Sequence, residues 1–275
     1  MSATASSSPP VTQPRLSGFA AVRAFAADIK LSHSIFALPF ALLAATLAAR
    51  SPGAAWGVTW GVGTFVLIVI CMVCARTVAM AANRVLDAEL DQHNPRTARR
   101  ALPSGQLHRP FVLGLIALFS LGFVAACGGF WLLYGNPWPL ALSLPVLTFI
   151  SAYPLFKRFT ALCHYYLGAC LALAPICAWI AVAANVAIEP LLMAANVLLW
   201  TAGFDVIYAT ADFESDRRTG VHSLPSRLGL AKALWVSRIT HVLAIGCLVA
   251  LGFASPDLGW LWLAATGVVA VLLIV

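Results

Sequence analysis

The chain has 275 residues, of which 61% are hydrophobic and only 10% charged, with a formal net charge of +7. Soluble domains carry about 25% charged residues, so an ordinary soluble globular protein is excluded and lipid must be the solvent for most of the surface. No soluble basic domain exists that could bind nucleic acid, and the positive balance is a topology signal first.

In chain order, residues 1–14 (MSATASSSPPVTQP) are polar and rich in Pro and Ser, a composition of disorder. No charged start leads into an early apolar core, so they do not read as a secretory signal. Residues 1–29 are taken as a disordered or amphipathic N-terminal segment and 30–275 as one transmembrane domain. Apolar runs follow at about 34–49, 57–82, 110–134, 138–156, 164–185, 190–211, 233–253 and 258–275. They are continuous rather than alternating, which in lipid means helices. The expectation is an all-α bundle of eight spans, with two long polar loops near 83–109 and 212–232. The last run, VVAVLLIV, stops without a charged flank, an ending that suggests a further helix.

With eight spans, every Lys and Arg except Arg50 falls on one side of the membrane. The positive-inside rule makes that side cytoplasmic. The seven cysteines lie mostly inside apolar runs. Cys71 and Cys74 form a CxxC, but mid-span, where small residues lining helix contacts are the simpler account.

The acids are more informative. There are ten Asp and Glu, and seven fall in two clusters: Asp87, Glu89 and Asp91, then Asp205, Asp212, Glu214 and Asp216. Both sit where a helix leaves the membrane on the cytoplasmic side. Asn83, Asp87 and Asp91 are spaced i, i+4, i+8, one helical stripe about 12 Å long. Asp205, Asp212 and Asp216 are spaced i, i+7, i+11, a second stripe, with Tyr208 beside it. Carboxylate and amide oxygens suit a hard divalent cation, and Mg²⁺ commonly takes one or two carboxylates plus substrate phosphates. Arg96 and Arg100 follow the first cluster, Arg217 and Arg218 the second, and Lys157 and Arg158 stand between. Alternating acids and bases suit a metal-bridged polyphosphate. The loops RTARRALPSGQL (96–107) and RTGVHSLPSRLG (218–229) also resemble each other, as two half-sites built on one plan would. Acids at a membrane are otherwise the mark of an ion- or proton-coupled transporter, the competing reading, although transporter sites lie near the midplane on broken helices.

The stretch NRVLDAELDQHNPRTARRALPSG (83–105) resembles the first Asp-rich motif of the UbiA superfamily of membrane prenyltransferases. DVIYATADFESD (205–216) resembles the second, and YPLFK (153–157) their Tyr-x-x-x-Lys element. The resemblance implies nine transmembrane helices around a cavity open laterally to lipid. It also implies Mg²⁺-dependent transfer of a prenyl group from a polyprenyl diphosphate to an aromatic acceptor in a bacterial inner membrane, with no protein partner. Carried over by position, Asn83, Asp87 and Asp91 would bind one metal–diphosphate unit and Asp212 and Asp216 the other. Lys157, Arg158, Arg100 and Arg217 would grip the diphosphate. Asp205, Tyr208 and Tyr153 would lie at the reacting centre. The second motif is similar to those of 4-hydroxybenzoate polyprenyltransferases. KLSHSIFALPFALLAA (30–45) and KRFTALCHYYLG (157–168) lean toward the relatives on the futalosine route to menaquinone, whose acceptor is a dihydroxynaphthoate. His33 and His164 lie in those segments, either as hydrogen-bonded bundle residues or as acceptor contacts or proton relays.

Overall fold

The computed structural model describes residues 14–29, 37–51 and 61–274; Lys30 and His33 lie outside them. The described residues are helical throughout, with no strand. The helices are α1 (Gly18–Asp28), α2 (Leu38–Arg50), α3 (Val62–Gln92), α4 (Arg109–Tyr134), α5 (Trp138–Phe156), α6 (Cys163–Ala183) and α7 (Ile188–Ala209). After a 3₁₀ turn (Thr210–Asp212) come α8 (Phe213–Thr219), α9 (Leu224–Leu228), α10 (Leu230–Ala254) and α11 (Gly259–Ile274).

Six of these are long and apolar enough to cross a membrane: α3, α4, α5, α6, α7 with the turn and α8, and α10. The expected first and last spans appear as the shorter apolar helices α2 and α11. Many large apolar side chains point outward, among them Leu132, Val242, Phe253 and Trp260. That is the surface expected where lipid replaces water.

Helix α3 outruns the expected span by ten residues. Residues 83–94 contain no Gly or Pro, and Asn83, Asp87 and Asp91 are buried. Nothing local stops the helix until the Asn94–Pro95 step, where a proline disfavours helix in the residue before it. The first polar loop therefore starts near residue 93, not 83, and both Asp87 and Asp91 are held on a rigid element.

The helices pack as a chain of neighbours: α4 on α3, α5 against α3, α4 and α6, α6 on α7, α7 on α10 and α10 on α11, with α2 lying against α6. One core joins Ala41, Ala44, Ala45 and Ala48 of α2 to Trp179 and Val182 of α6 and Met193 of α7. Small residues let these backbones approach closely, the usual basis of helix association in lipid. The nearest approach of α6 and α7 is at Gly168, where a Cβ would sit 2.3 Å from the Leu198 carbonyl oxygen. Gly168→Ala is expected to separate the two helices and lower stability by about 1–3 kcal/mol, read as a lower melting temperature in detergent. Polar groups brace the same helices: Asn136 Nδ2 donates to the Ile180 and Ala181 carbonyls at 2.9 and 3.0 Å, and Asn196 Nδ2 to the Ala244 carbonyl at 3.0 Å.

Residues 1–13, where the composition of disorder lies, are outside the described residues; the helix that follows them packs on the bundle. Helix α1 buries Ala21 and Phe25, with Ile29 just beyond its end, against Ala81 and Val85 of α3, Ala101 and Leu107 of the first loop and Val112 of α4. Its outer side carries Phe19 and Val22, both exposed. It is a helix clamped to the end of the bundle that holds the acids. The cysteines form no disulfide; Cys71 and Cys127 bring their sulfurs to 3.8 Å across α3 and α4 as packed thiols.

Candidate functional site

The ends of α3, α5, α6 and α7 enclose a cavity of about 240 Å³. Asn83, Asp87 and Asp91 reach it from α3, Tyr153 and Lys157 from the end of α5, His164 from the first turn of α6, and Asp205 and Tyr208 from α7. Asp212 and Asp216 enter from the segment after α7, and Asn94, Arg96 and Arg100 from the loop after α3. The aspartates of both clusters thus meet around one space, as two half-sites built on one plan would.

The first stripe is a single helical face. Asp87 is 1% exposed. Its Oδ2 accepts from Asn83 Nδ2 at 2.5 Å and faces Lys157 Nζ at 2.7 Å, while its Oδ1 is buried without a hydrogen-bond partner. A carboxylate oxygen buried with no donor is costly and marks a place where a cation belongs. One turn on, Asp91 Oδ2 accepts from Arg100 at 2.7 Å.

The second stripe is not one helix. Helix α7 ends at Ala209, and the 3₁₀ turn over Thr210–Asp212 intervenes before α8. Each 3₁₀ residue advances roughly 120° instead of 100°, so the turn rotates Asp212 and Asp216 by about 60° relative to Asp205 while all three stay on the cavity. The turn carries Asp212 toward the first loop. There Arg96 grips both its oxygens, with Nε 2.9 Å from Oδ1, and Asn94 Nδ2 donates to Oδ1 at 2.9 Å. That hydrogen bond holds the Arg96 guanidinium charge even more firmly than usual. Arg96 was expected only as one of the bases beside the acids, with no partner assigned, and Asn94 was not expected at the site. The signal for Asn94 is position alone, in the turn just beyond Asp91 in a loop that must pass the second motif.

Of the basic residues expected at the site, Lys157 and Arg100 line the cavity and Arg158 and Arg217 do not. Arg158 is turned away, its guanidinium 2.5 Å from the Leu86 carbonyl, where it ties the end of α5 to α3. Arg217 lies over the Phe213 ring at 5.5 Å on the exposed side of α8. Adjacent cations cannot all face one cavity: Lys157 points inward where Arg158 does not, and beside the second motif the inner cation is Arg96 from the first loop.

Asp205 is held by His164, whose Nδ1 lies 2.7 Å from Asp205 Oδ2. Tyr208 is 64% exposed, with Arg96 over its ring at 5.9 Å. Arg76 is a further charged group near the site. It stands two turns before Asn83 on α3, within electrostatic reach of Tyr153, and its Nε is buried without a hydrogen-bond partner. Behind the first stripe, Arg84 joins Asn83 Oδ1 at 3.4 Å to Asp28 of α1, donating to its carbonyl at 3.2 Å with Nε 3.4 Å from its carboxylate. Burial pushes the Asp28 carboxyl above the usual carboxylate range, against the pull of Arg84.

Asp87, Asp91, Asp205, Asp212 and Asp216 face three cations, Arg96, Arg100 and Lys157, so the lining is formally short of two positive charges. Among the described residues no three His, Cys, Asp or Glu side chains converge closely enough to cage a metal by themselves. The donor set therefore does not fit a closed metal cage. It fits a hard cation that takes one or two carboxylates and completes its shell with oxygens from a ligand, phosphates above all.

Residues 37–275 match the UbiA prenyltransferase family. The chain is 34% identical to 4-hydroxybenzoate polyprenyltransferase, mitochondrial, of Arabidopsis thaliana, over 69% of this chain and 45% of that protein. It spans about half to two thirds of the length of the curated relatives it matches. The apo structure of a UbiA homolog from Aeropyrum pernix K1 superposes with a TM-score of 0.78 at 32% identity, covering 89% of this chain and 86% of the other. A UbiA homolog from Archaeoglobus fulgidus bound to GPP and Mg²⁺ has the same fold, with a TM-score of 0.67 at 15% identity over 90% of this chain and 86% of that one.

Proposed function

Because the chain belongs to the UbiA prenyltransferase family, we propose that it transfers a polyprenyl group from a polyprenyl diphosphate to an aromatic acceptor in quinone biosynthesis, with Mg²⁺ and at the cytoplasmic face of the membrane. The observation that carries this is the pairing of two acid clusters with Lys157, Arg96 and Arg100 around one cavity at the ends of membrane helices. A diphosphate must stay at the aqueous edge while its tail stays in lipid, and a cavity at helix ends serves both.

Each carboxylate–cation pair is a place where a metal–phosphate unit would fit. Asn83, Asp87 and Asp91 would hold one such unit, and Asp212 and Asp216 the other. Bound Mg²⁺ supplies charge neutralisation of the departing diphosphate, which favours its loss. Lys157 and Arg100 hold the phosphate oxygens and keep them in line. Tyr153 closes the inner wall and keeps water from the allylic carbon. Asp205 accepts the ring hydroxyl proton of the acceptor. Arg76 supplies the cation for an anionic substituent on that ring. The name of the Arabidopsis relative supports an acceptor such as 4-hydroxybenzoate; a dihydroxynaphthoate carries the same hydroxyl and carboxylate groups.

The test is to incubate membranes containing the protein with labelled polyprenyl diphosphate, with and without Mg²⁺, and with either 4-hydroxybenzoate or 1,4-dihydroxy-6-naphthoate. A lipid-soluble prenylated ring formed in one tube only with Mg²⁺ is the expected result. No product with either acceptor, from folded protein, defeats the reading.

Lys157→Ala is expected to raise the KM for the prenyl diphosphate about tenfold or more, the worth of one charge-assisted contact. Steady-state kinetics on the purified variant checks this, and an unchanged KM would remove Lys157 from the diphosphate site.

A further inference from the structure

His164 sits in the first turn of α6 and is 3% exposed. Both ring nitrogens are engaged. The backbone N–H of Leu224 donates to Nε2 at 3.1 Å, and Nδ1 lies 2.7 Å from Asp205 Oδ2. A backbone amide can only donate, so Nε2 carries no proton. Nδ1 therefore does, and it donates to Asp205. The tautomer is fixed by the chain itself.

The amide that fixes it belongs to a loop that also holds the diphosphate-binding groups. His222 N donates to the Lys157 carbonyl at 2.8 Å, Cys163 Sγ reaches the His222 carbonyl at 3.5 Å, and Val221 N donates to the Asp216 carbonyl at 3.0 Å. The loop is rigid on its own account: Ser223 and Ser226 form a reciprocal cap at the start of α9. Residues 221–224 thus join Lys157, Asp216 and, through His164, Asp205.

Resting on the prenyltransferase reading, we infer that His164 is a positioning residue: it holds Asp205 in one orientation, with the oxygen not bonded to His164 left to the acceptor. A flexible aspartate on the cavity wall would instead swing toward the cations around the diphosphate. Clamped by His164, it stays with the ring. The allylic C–O bond breaks and its electron pair leaves with the diphosphate. A ring π pair forms the new C–C bond while the acceptor's O–H bond breaks. The O–H proton passes to Asp205 and its electron pair forms the C=O of a dienone, a pair that returns to the oxygen when the ring regains aromaticity. When the ring carbon sheds its own proton to the departing diphosphate, Asp205 returns the first proton to that oxygen. His164 keeps its Nδ1 proton throughout and touches no substrate.

The test compares His164→Leu, His164→Phe and His164→Asn in the full chain, in membranes, with the acceptor that the wild-type protein uses. In the Leu and Phe variants kcat is expected to fall about 10- to 100-fold, part of the 10²–10⁴ that a positioned base contributes. The KM for polyprenyl diphosphate and the Mg²⁺ concentration for half-activation should stay within about twofold of wild type. Asn places an amide donor where Nδ1 stood, and is expected to restore kcat to within about threefold. The Asp205→Asn variant should be as slow as the Asp205→Asn, His164→Leu double variant, because the two act as one unit.

An unchanged kcat in the Leu variant, a shift in Mg²⁺ half-activation, or simple multiplication of the two losses would overturn the inference. If neither apolar variant inserts, His164→Asn decides alone: a loss of about tenfold or more overturns the assignment. A wild-type protein that transfers no prenyl group would defeat the prenyltransferase reading. An active wild type with an unaffected His164→Leu variant would defeat the role of His164 only.

Discussion

Replacing Asp87 with Ala or Asn is expected to reduce prenyl transfer at least about 100- to 1,000-fold, the scale on which a single charge-stabilising group in an active site acts. Asp87 is the most buried acid of the site, at 1% exposure. One of its oxygens is shared by Asn83 and Lys157 and the other has no partner. Asn keeps the shape and one acceptor oxygen but removes the charge, so loss in both variants assigns the effect to charge. The bundle should survive, because Asp87 pairs at a cavity wall rather than in the α2–α6–α7 core. Melting temperature in detergent and membrane yield are the controls. An Asp87→Asn protein with a rate within about threefold of wild type would remove this residue from the metal site.

Asp212→Ala should produce a loss of the same order, with a different signature. Asp212 is gripped by Arg96 and Asn94 from a loop more than a hundred residues earlier in the chain. Removing it deletes a metal ligand and also unties the two halves of the site. Both the Mg²⁺ concentration for half-activation and the KM for prenyl diphosphate are expected to rise. Arg96→Ala, which leaves the carboxylate, should raise the KM with a smaller loss of kcat. If Asp212→Ala lowered kcat while leaving Mg²⁺ half-activation unchanged, Asp212 would be a structural latch for the loop and not a ligand.

The first half of the site was legible because helix periodicity is local. Three oxygen-bearing residues at i, i+4 and i+8, with no Gly or Pro before Pro95, must share one face of a helix. At the second motif the same argument holds more loosely. Asp205, Asp212 and Asp216 do reach one cavity, but the 3₁₀ turn at Thr210–Asp212 interrupts the α-helix between them. Nothing in TADFESD announces that turn. It is favoured by what Asp212 gains across the cavity from Arg96 and Asn94.

Basic residues divide in the same way. Their abundance near the acids, and their crowding on one side of the membrane, were plain from the sequence. Which of them face inward was not. Arg158 adjoins Lys157 in the chain, yet Lys157 meets Asp87 while Arg158 bonds the Leu86 carbonyl. Two adjacent residues at the end of a helix point about 100° apart, and only the placing of α5 against α3 decides which of them reaches the cavity.

The sequence by itself determined that this protein lies in lipid as a helical bundle, and that its chemistry belongs to two acid clusters where helices end. Both follow from quantities that need no fold: the scarcity of charge, the length of the apolar runs and the helical period. The tertiary structure decided the partners: Arg96 with Asp212, Lys157 with Asp87, and His164 with Asp205 and the Leu224 amide. These contacts join residues far apart in the chain. Each depends on how neighbouring helices are turned and offset, which is settled by close packing at places such as Gly168 against Leu198 and not by local residue spacing.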